Sequence, residues 1–191
     1  MLNLVLFGKP GSGKGTQANF LKDKYDLIHI STGDVFRKNI KNQTELGVKA
    51  QGYTQNGELV PDDVTVSMLE NEIKQNLPCN GFIFDGFPRT LNQADEMNKI
   101  LFKYKMELSA VVALEVDDDL LTDRLLKRGL ISGRSDDQSR EKILTRLNEY
   151  RNKTEPLIDY YSKINRFHSV SGVGEINEIS SRLLELIESV R

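Results

Sequence analysis

Five short stretches of the chain are dense in β-branched and apolar residues: Leu2–Phe7, Leu27–Ile30, Gly81–Asp85, Ala110–Val116 and Arg166–Val170. Three of them are nearly continuous hydrophobics. That pattern suits strands buried on both faces of a parallel sheet, since a half-exposed strand would alternate apolar with polar positions. Between the stretches the period lengthens. Val66, Leu69, Ile73 and Leu77 recur at helical spacing after Pro61-Asp62-Asp63, where proline in the first turn and acids near the positive helix end mark an N-terminus. Ile176, Ile179, Leu183, Leu186 and Val190 repeat the pattern near the C-terminus. Strands alternating with helices predict an open, doubly wound α/β fold. Pro156 predicts a kink or break in the long helical pattern that runs from about Ser139 to Ile164.

Two stretches fit no strand. Residues 41–60 are polar and punctuated by glycine, and residues 129–138 (GLISGRSDDQ) form a short segment rich in Gly, Ser and charge. Long excursions from a compact core are often lids. The remaining chemistry narrows the class. With 26 Lys and Arg against 28 Asp and Glu, the net charge of −2 lacks the basic surplus of an overall nucleic-acid binder. The apolar run at the N-terminus is far short of the ~20 residues that span a membrane, and it lacks a signal peptide's basic flank and cleavage site. The single cysteine, Cys79, forbids an internal disulfide and a four-cysteine zinc site, so the expectation is a cytoplasmic protein with no structural zinc, no nucleic-acid partner and no membrane.

The sequence GKPGSGKGTQ begins at Gly8, straight after the first apolar run. Strand, glycine loop and a helix opening near Lys14 form the context of a phosphate-binding loop. Glycines let the backbone wrap around phosphate oxygens, and the helix N-terminus adds free amides and positive potential. A Gly-rich turn of some other doubly wound protein is the plain alternative. One position departs from the common motif: Gly15 stands where Ser or Thr would hold Mg²⁺, and Thr16 comes one place late. Either Thr16 takes part of that role or the ion keeps more of its water.

Further along, Ser31 and Asp34 in STGDVFR suggest a capping box, which leaves Arg37 unexplained. Asp85 ends the third strand, where a carboxylate could partner an outer-sphere Mg²⁺ or simply cap a turn. Arg124 and Arg128 lie four apart on one helix face, which by itself reads as a solvated basic face. Arg134 and Arg146 follow closely, with Asp136 and Asp137 placed to hold them. His29 and His168 fall in predicted strands and read as packing residues, and Lys9 reads as pointing to solvent.

Together GKPGSGKGTQ, STGDVFR, GELVPDDV, DGFPRT with Gln93, and RGLISGRSDD resemble, in order, the motifs of the short-lid adenylate kinases. In that family Gly follows the loop lysine, so Gly15 is a family mark. The resemblance implies a P-loop three-layer αβα fold with a five-stranded parallel sheet, a helical monophosphate-binding lobe at 31–60, a short lid at 127–138, and a core of 1–30, 61–126 and 139–191. It implies transfer of the terminal phosphoryl group from Mg-ATP to AMP by a monomer, with a UMP/CMP kinase as the alternative; Thr32 favours AMP.

The resemblance also implies roles for particular residues. ATP would lie on Gly11, Ser12, Gly13, Lys14, Gly15 and Thr16, with Gly174 near the adenine. AMP would meet Thr32, Arg37, Glu58, Leu59, Val60, Gly86, Phe87, Pro88, Arg89 and Gln93. Lys14, Arg89, Arg124, Arg128, Arg134 and Arg146 would surround the moving phosphoryl group, with Arg134 and Arg146 reaching AMP too. Asp85 would stand near Mg²⁺.

Overall fold

The computed structural model describes all 191 residues, Met1–Arg191. Five strands, β1 (Leu2–Phe7), β2 (Ile28–Ser31), β3 (Gly81–Asp85), β4 (Ala110–Glu115) and β5 (Phe167–Ser171), form one sheet in the order β2-β3-β1-β4-β5. Every pairing is parallel. Each strand lies within a residue of its apolar stretch. Because successive strand side chains point to opposite faces, one strand serves two cores. Leu4 and Leu6 of β1 pack with Ala18 and Leu21 of α1 (Lys14–Tyr25) and with Ile179, Leu183 and Ile187 of α9 (Ile176–Val190). Val5 and Phe7 face the other way. They meet Leu69 and Ile73 of α4 (Asp62–Asn76), Met97 and Leu101 of α5 (Leu91–Lys103), and Leu157 and Tyr161 of α8 (Pro156–Lys163). Helices therefore cover both faces, giving three layers.

The segment between β2 and α4 folds as two helices, α2 (Thr32–Lys41) and α3 (Glu45–Asn56), joined by a tight turn. Ser31 caps α2 by accepting from the Asp34 amide, and Thr44 caps α3 by accepting from the Gly47 amide. The Ser31 cap is half of the expected box, since the Asp34 carboxylate turns to arginines instead. Phe36, Ala50, Val60 and Met68 give this lobe a small apolar cluster of its own.

Helix α6 spans Asp118–Ser132, so it runs four residues into the 129–138 segment. Gly129 does not stop it. Gly133 does, in the left-handed conformation at φ 65° that only glycine adopts without strain. A short 3₁₀ turn, Ser135–Asp137, then leads to α7 (Arg140–Glu149). The break foreseen before Pro156 is a π-turn over Tyr150–Thr154, and Pro156 opens α8, where its missing N–H costs nothing.

Candidate active site

Strand C-termini, the β1–α1 loop, the α2–α3 lobe and the α6–α7 segment enclose a cavity of about 780 Å³. Its lining is mostly polar. On the loop, Gly8 is at φ 141°, and a side chain there would collide with Ser12 Oγ at 2.5 Å and the Leu114 carbonyl at 2.9 Å. Gly13 precedes α1 with no side-chain cap, so the first-turn amides stay free for an anion. Lys14 opens the helix, and its Nζ donates to the carbonyls of Gly8 at 2.6 Å and Lys9 at 3.1 Å. Burial lowers the Lys14 pKa to about 8; Asp85 opposes that shift, while Arg89, Arg146 and Arg128 add to it.

Gly11, Gly13, Gly15 and Thr16 line the cavity. Ser12 does not: it is buried against Gly8, with an unpartnered hydroxyl. At Gly15 the nearest atom to an added Cβ is Asp85 Oδ2 at 3.9 Å, so the loop faces that carboxylate across open space.

The far wall is organised by the carbonyl of Gly86, which accepts from Thr32 Oγ1 at 2.9 Å and from Arg89 Nε at 2.7 Å. Gly86 sits at φ 79°, and a Cβ there would lie 2.6 Å from Arg89 Nη2 and 2.8 Å from Thr32 Oγ1. Arg37 holds Asp34 at 2.5 Å. Glu58, Leu59, Val60, Pro88 and Gln93 complete the wall. Phe87 turns away into the apolar core between sheet and helices, 1% exposed.

Four predicted arginines enter from the α6–α7 side. Arg128 grips Asp137 bidentately, Nε to Oδ2 at 2.6 Å and Nη2 to Oδ1 at 3.1 Å. Arg146 pairs with Asp136 at 3.0 Å and with Asp137. Arg134 approaches Asp34 at 3.5 Å, bridging to the α2 lobe. Arg124 reaches the cavity from the exposed face of α6. The Asp137 side chain is fully buried; burial alone would raise its pKa, but hydrogen bonds and charge from Arg128 and Arg146 hold it below the usual carboxylate value. The cavity lining thus holds more cations than carboxylates, an arrangement suited to phosphates. Gly174 lies outside the lining.

Several lining residues escaped the sequence reading. His29 is not a packing residue: it borders the cavity, with Nε2 3.6 Å from Asp85 Oδ2. Burial would raise the Asp85 pKa, yet His29 and Lys14 hold the carboxyl ionised, below its ordinary value. Tyr150 and Thr154 also border the cavity, and Thr154 Oγ1 donates to the Arg89 carbonyl at 3.0 Å. They continue the Arg146 stripe at steps of four, a spacing that would have exposed them. Lys9 does not point to free solvent. Its ammonium pairs at 2.6 Å with Asp118, which also binds Arg151 of the π-turn.

No cluster of three His, Cys, Asp or Glu stands ready to hold a metal on its own. One ionised carboxylate, Asp85, facing the open flank of a phosphate loop does fit Mg²⁺, which keeps several waters and binds through phosphates and one or two carboxylates.

A phosphate loop at a strand C-terminus, faced by a separate arginine-bearing lobe, defines the class: a P-loop kinase acting on a small phosphorylated acceptor. The family model described as "Adenylate kinase" matches residues 6–166. Proteins named adenylate kinase are similar along the whole chain. That of Flavobacterium psychrophilum is 55% identical over 190 residues, covering all of both chains. That of Porphyromonas gingivalis is 47% identical, covering all of this chain and 98% of the relative. That of Leptospira biflexa is 44% identical over 187 residues, covering 98% of this chain and all of the relative. The chain belongs to the adenylate kinase family.

Proposed function

We propose that this protein catalyses the reversible reaction of ATP with AMP to give two ADP, as a cytoplasmic monomer, with Mg²⁺ accompanying ATP. The reading is supported by one cavity lined on one side by the free amides of the α1 N-terminus with Lys14, and on the other by Thr32, Arg37 and Arg89, two sets each suited to phosphate.

The donor phosphates lie along Gly11–Thr16 in this reading. Lys14 leaves the Gly8 and Lys9 carbonyls, its resting partners, for the β- and γ-phosphate oxygens. Arg37 and Arg89 hold the acceptor phosphate, Thr32 and residues 58–60 surround the base, and Gln93 reads its edge. Arg124, Arg128, Arg134 and Arg146 surround the transferring group, where fixed cations stabilise charge that spreads over the equatorial oxygens. Asp136 and Asp137 keep two of these arginines in place. Asp85 is the residue that would hold Mg²⁺, through its water shell. Once bound, the ion would neutralise and orient phosphate oxygens. The protein's own task is positioning and exclusion of water, because an acceptor site that admits water hydrolyses ATP.

The test is an assay for ADP with Mg-ATP and AMP, CMP or UMP in turn. Turnover dependent on AMP is expected. Equal turnover with and without AMP would overturn the reading, and faster turnover with CMP or UMP would establish the pyrimidine alternative.

A further inference from the structure

Gln93 is buried to within 2% of its surface, yet it lines the acceptor cavity. Both ends of its amide are engaged. Oε1 accepts from the Arg89 backbone N–H at 2.8 Å, and Nε2 donates to Asp62 Oδ1 at 2.6 Å. These partners are chemically one-sided: a backbone N–H can only donate, and an ionised carboxylate can only accept. A flipped amide would put N–H against N–H and oxygen against oxygen. The orientation of this amide is therefore set by chemistry.

Asp62 is itself fixed. Its other oxygen accepts from Thr90 Oγ1 at 2.8 Å and Asn92 Nδ2 at 3.0 Å. Thr90 in turn accepts from the Gln93 backbone N–H at 3.1 Å, as the cap of α5. The first turn of α4 and the start of α5 thus form a closed hydrogen-bonded knot behind Gln93, and Asp62 is not among the cavity-lining residues.

We propose that Asp62 is a specificity-determining positioning residue: it locks the Gln93 amide in the one orientation that complements adenine and rejects bases whose pairing edge has the opposite polarity. The inference rests on the proposed AMP acceptor site. With one lone pair on Oε1 and one hydrogen on Nε2 already used, the amide has one acceptor and one donor left, on fixed sides. Adenine presents an N1 acceptor beside an N6 donor. Hypoxanthine presents an N1–H donor beside an O6 acceptor at the same two places. A free amide would turn over to suit either base. A locked amide suits one, because a ribose phosphate clamped by arginines stops the base from exchanging sides. Mispaired polar groups in a buried site give the large discrimination that shape alone does not.

The experiment compares kcat/KM for AMP and IMP in the wild-type protein, Asp62→Ala and Gln93→Leu, with melting temperatures measured alongside. The wild type is expected to prefer AMP strongly. Asp62→Ala is expected to shrink the AMP/IMP ratio roughly tenfold, with IMP gaining in absolute kcat/KM because one of the amide's two one-sided partners is gone and only the Arg89 N–H still resists its turning over. A purely structural role for Asp62 would lower both substrates together and leave the ratio intact, which overturns the proposal. Gln93→Leu should also collapse the ratio, by loss for AMP without gain for IMP. An unchanged ratio in Gln93→Leu would overturn the lock together with the assignment of Gln93 to the base. A collapse there with an unchanged ratio in Asp62→Ala would overturn the lock and leave the acceptor site standing. If Asp62→Ala does not fold, Asp62→Asn keeps the shape while offering Gln93 either a donor or an acceptor. The same relaxation, smaller in size, is expected, and its absence overturns the proposal.

Discussion

The β1–α1 loop side and the α6–α7 side of the cavity are electrostatically unlike. On the loop side the cation that lines the cavity is Lys14, which rests on neutral carbonyls and whose pKa burial lowers to about 8. On the α6–α7 side the cations are arginines, which stay charged, and their carboxylate partners rest in salt bridges. The loop side holds its ammonium with no carboxylate in salt-bridge contact, and on the proposed reading a bound phosphate would supply that missing partner. On the arginine side Arg128, Arg134 and Arg146 are already paired, so on the proposed reading phosphate would compete with Asp34, Asp136 and Asp137 for them. One side is poised, and the other is latched.

The largest effect should come from the poised side. Lys14→Met is expected to lower kcat by roughly a thousandfold, the scale for losing one preorganised charge at the transition state, while circular dichroism shows an intact fold. Arg37→Ala should weaken AMP binding about tenfold, with ATP affinity held, since it removes one charge-assisted contact on the acceptor wall alone. Titration of each nucleotide separately checks this; loss confined to ATP would dissolve the two-sided picture.

The pH behaviour sharpens the contrast. In the free protein kcat/KM for ATP should fall as pH rises through about 8, where Lys14 loses its proton. Stability should run the other way. Lys14 in the unfolded chain keeps its proton up to 10.5, so between pH 8 and 10.5 the unfolded state binds more protons and the fold gains. Lys14→Met lacks this term, and its melting temperature relative to wild type should drop across that window. On the latched side the sign is opposite. The depressed Asp137 carboxyl contributes stability that is present above its ordinary 3.8 and is lost as pH falls below it. Asp137→Asn should cost about 2 kcal/mol at neutral pH, by leaving Arg128 and Arg146 without their buried partner, and this cost should vanish in acid.

The sequence exposed one kind of information better than another. The three central strands were legible because burial on both faces leaves nearly continuous apolar runs, and the loop because glycine geometry and the lysine sit within ten residues. Residues 129–132 belong to α6 although the Gly-, Ser- and charge-rich composition of 129–138 suggests a loop. In the fold Gly129 makes room for the Asp137 backbone, 2.6 Å from where a Cβ would sit. His29 was read as packing because its partner Asp85 is 56 positions away and becomes its neighbour only through the β2–β3 register. Asp62 looked like a helix-start acid. It is one, but the side chain's partners come from another helix 28 to 31 residues on. Local patterns show in a sequence, whereas one-to-one polar pairing across elements does not.

The smallest expected effect tests whether the two sides communicate. Asp118 joins Lys9, beside the poised loop, to Arg151 in the π-turn, whose Thr154 holds the Arg89 carbonyl. The pairs are about one-third exposed, with Lys9 at 28% and Asp118 at 36%, so Asp118→Asn should cost less than about 1 kcal/mol in stability. Kinetics can see more than stability here. If the bridge transmits position, Asp118→Asn should raise KM for ATP and for AMP together by a similar small factor. The double variant Lys9→Met/Asp118→Asn should then be no worse than either single change, because the pair acts as a unit. Additive losses, or a change in ATP binding alone, would mean that Lys9 serves only its own loop and that the poised and latched sides are set independently.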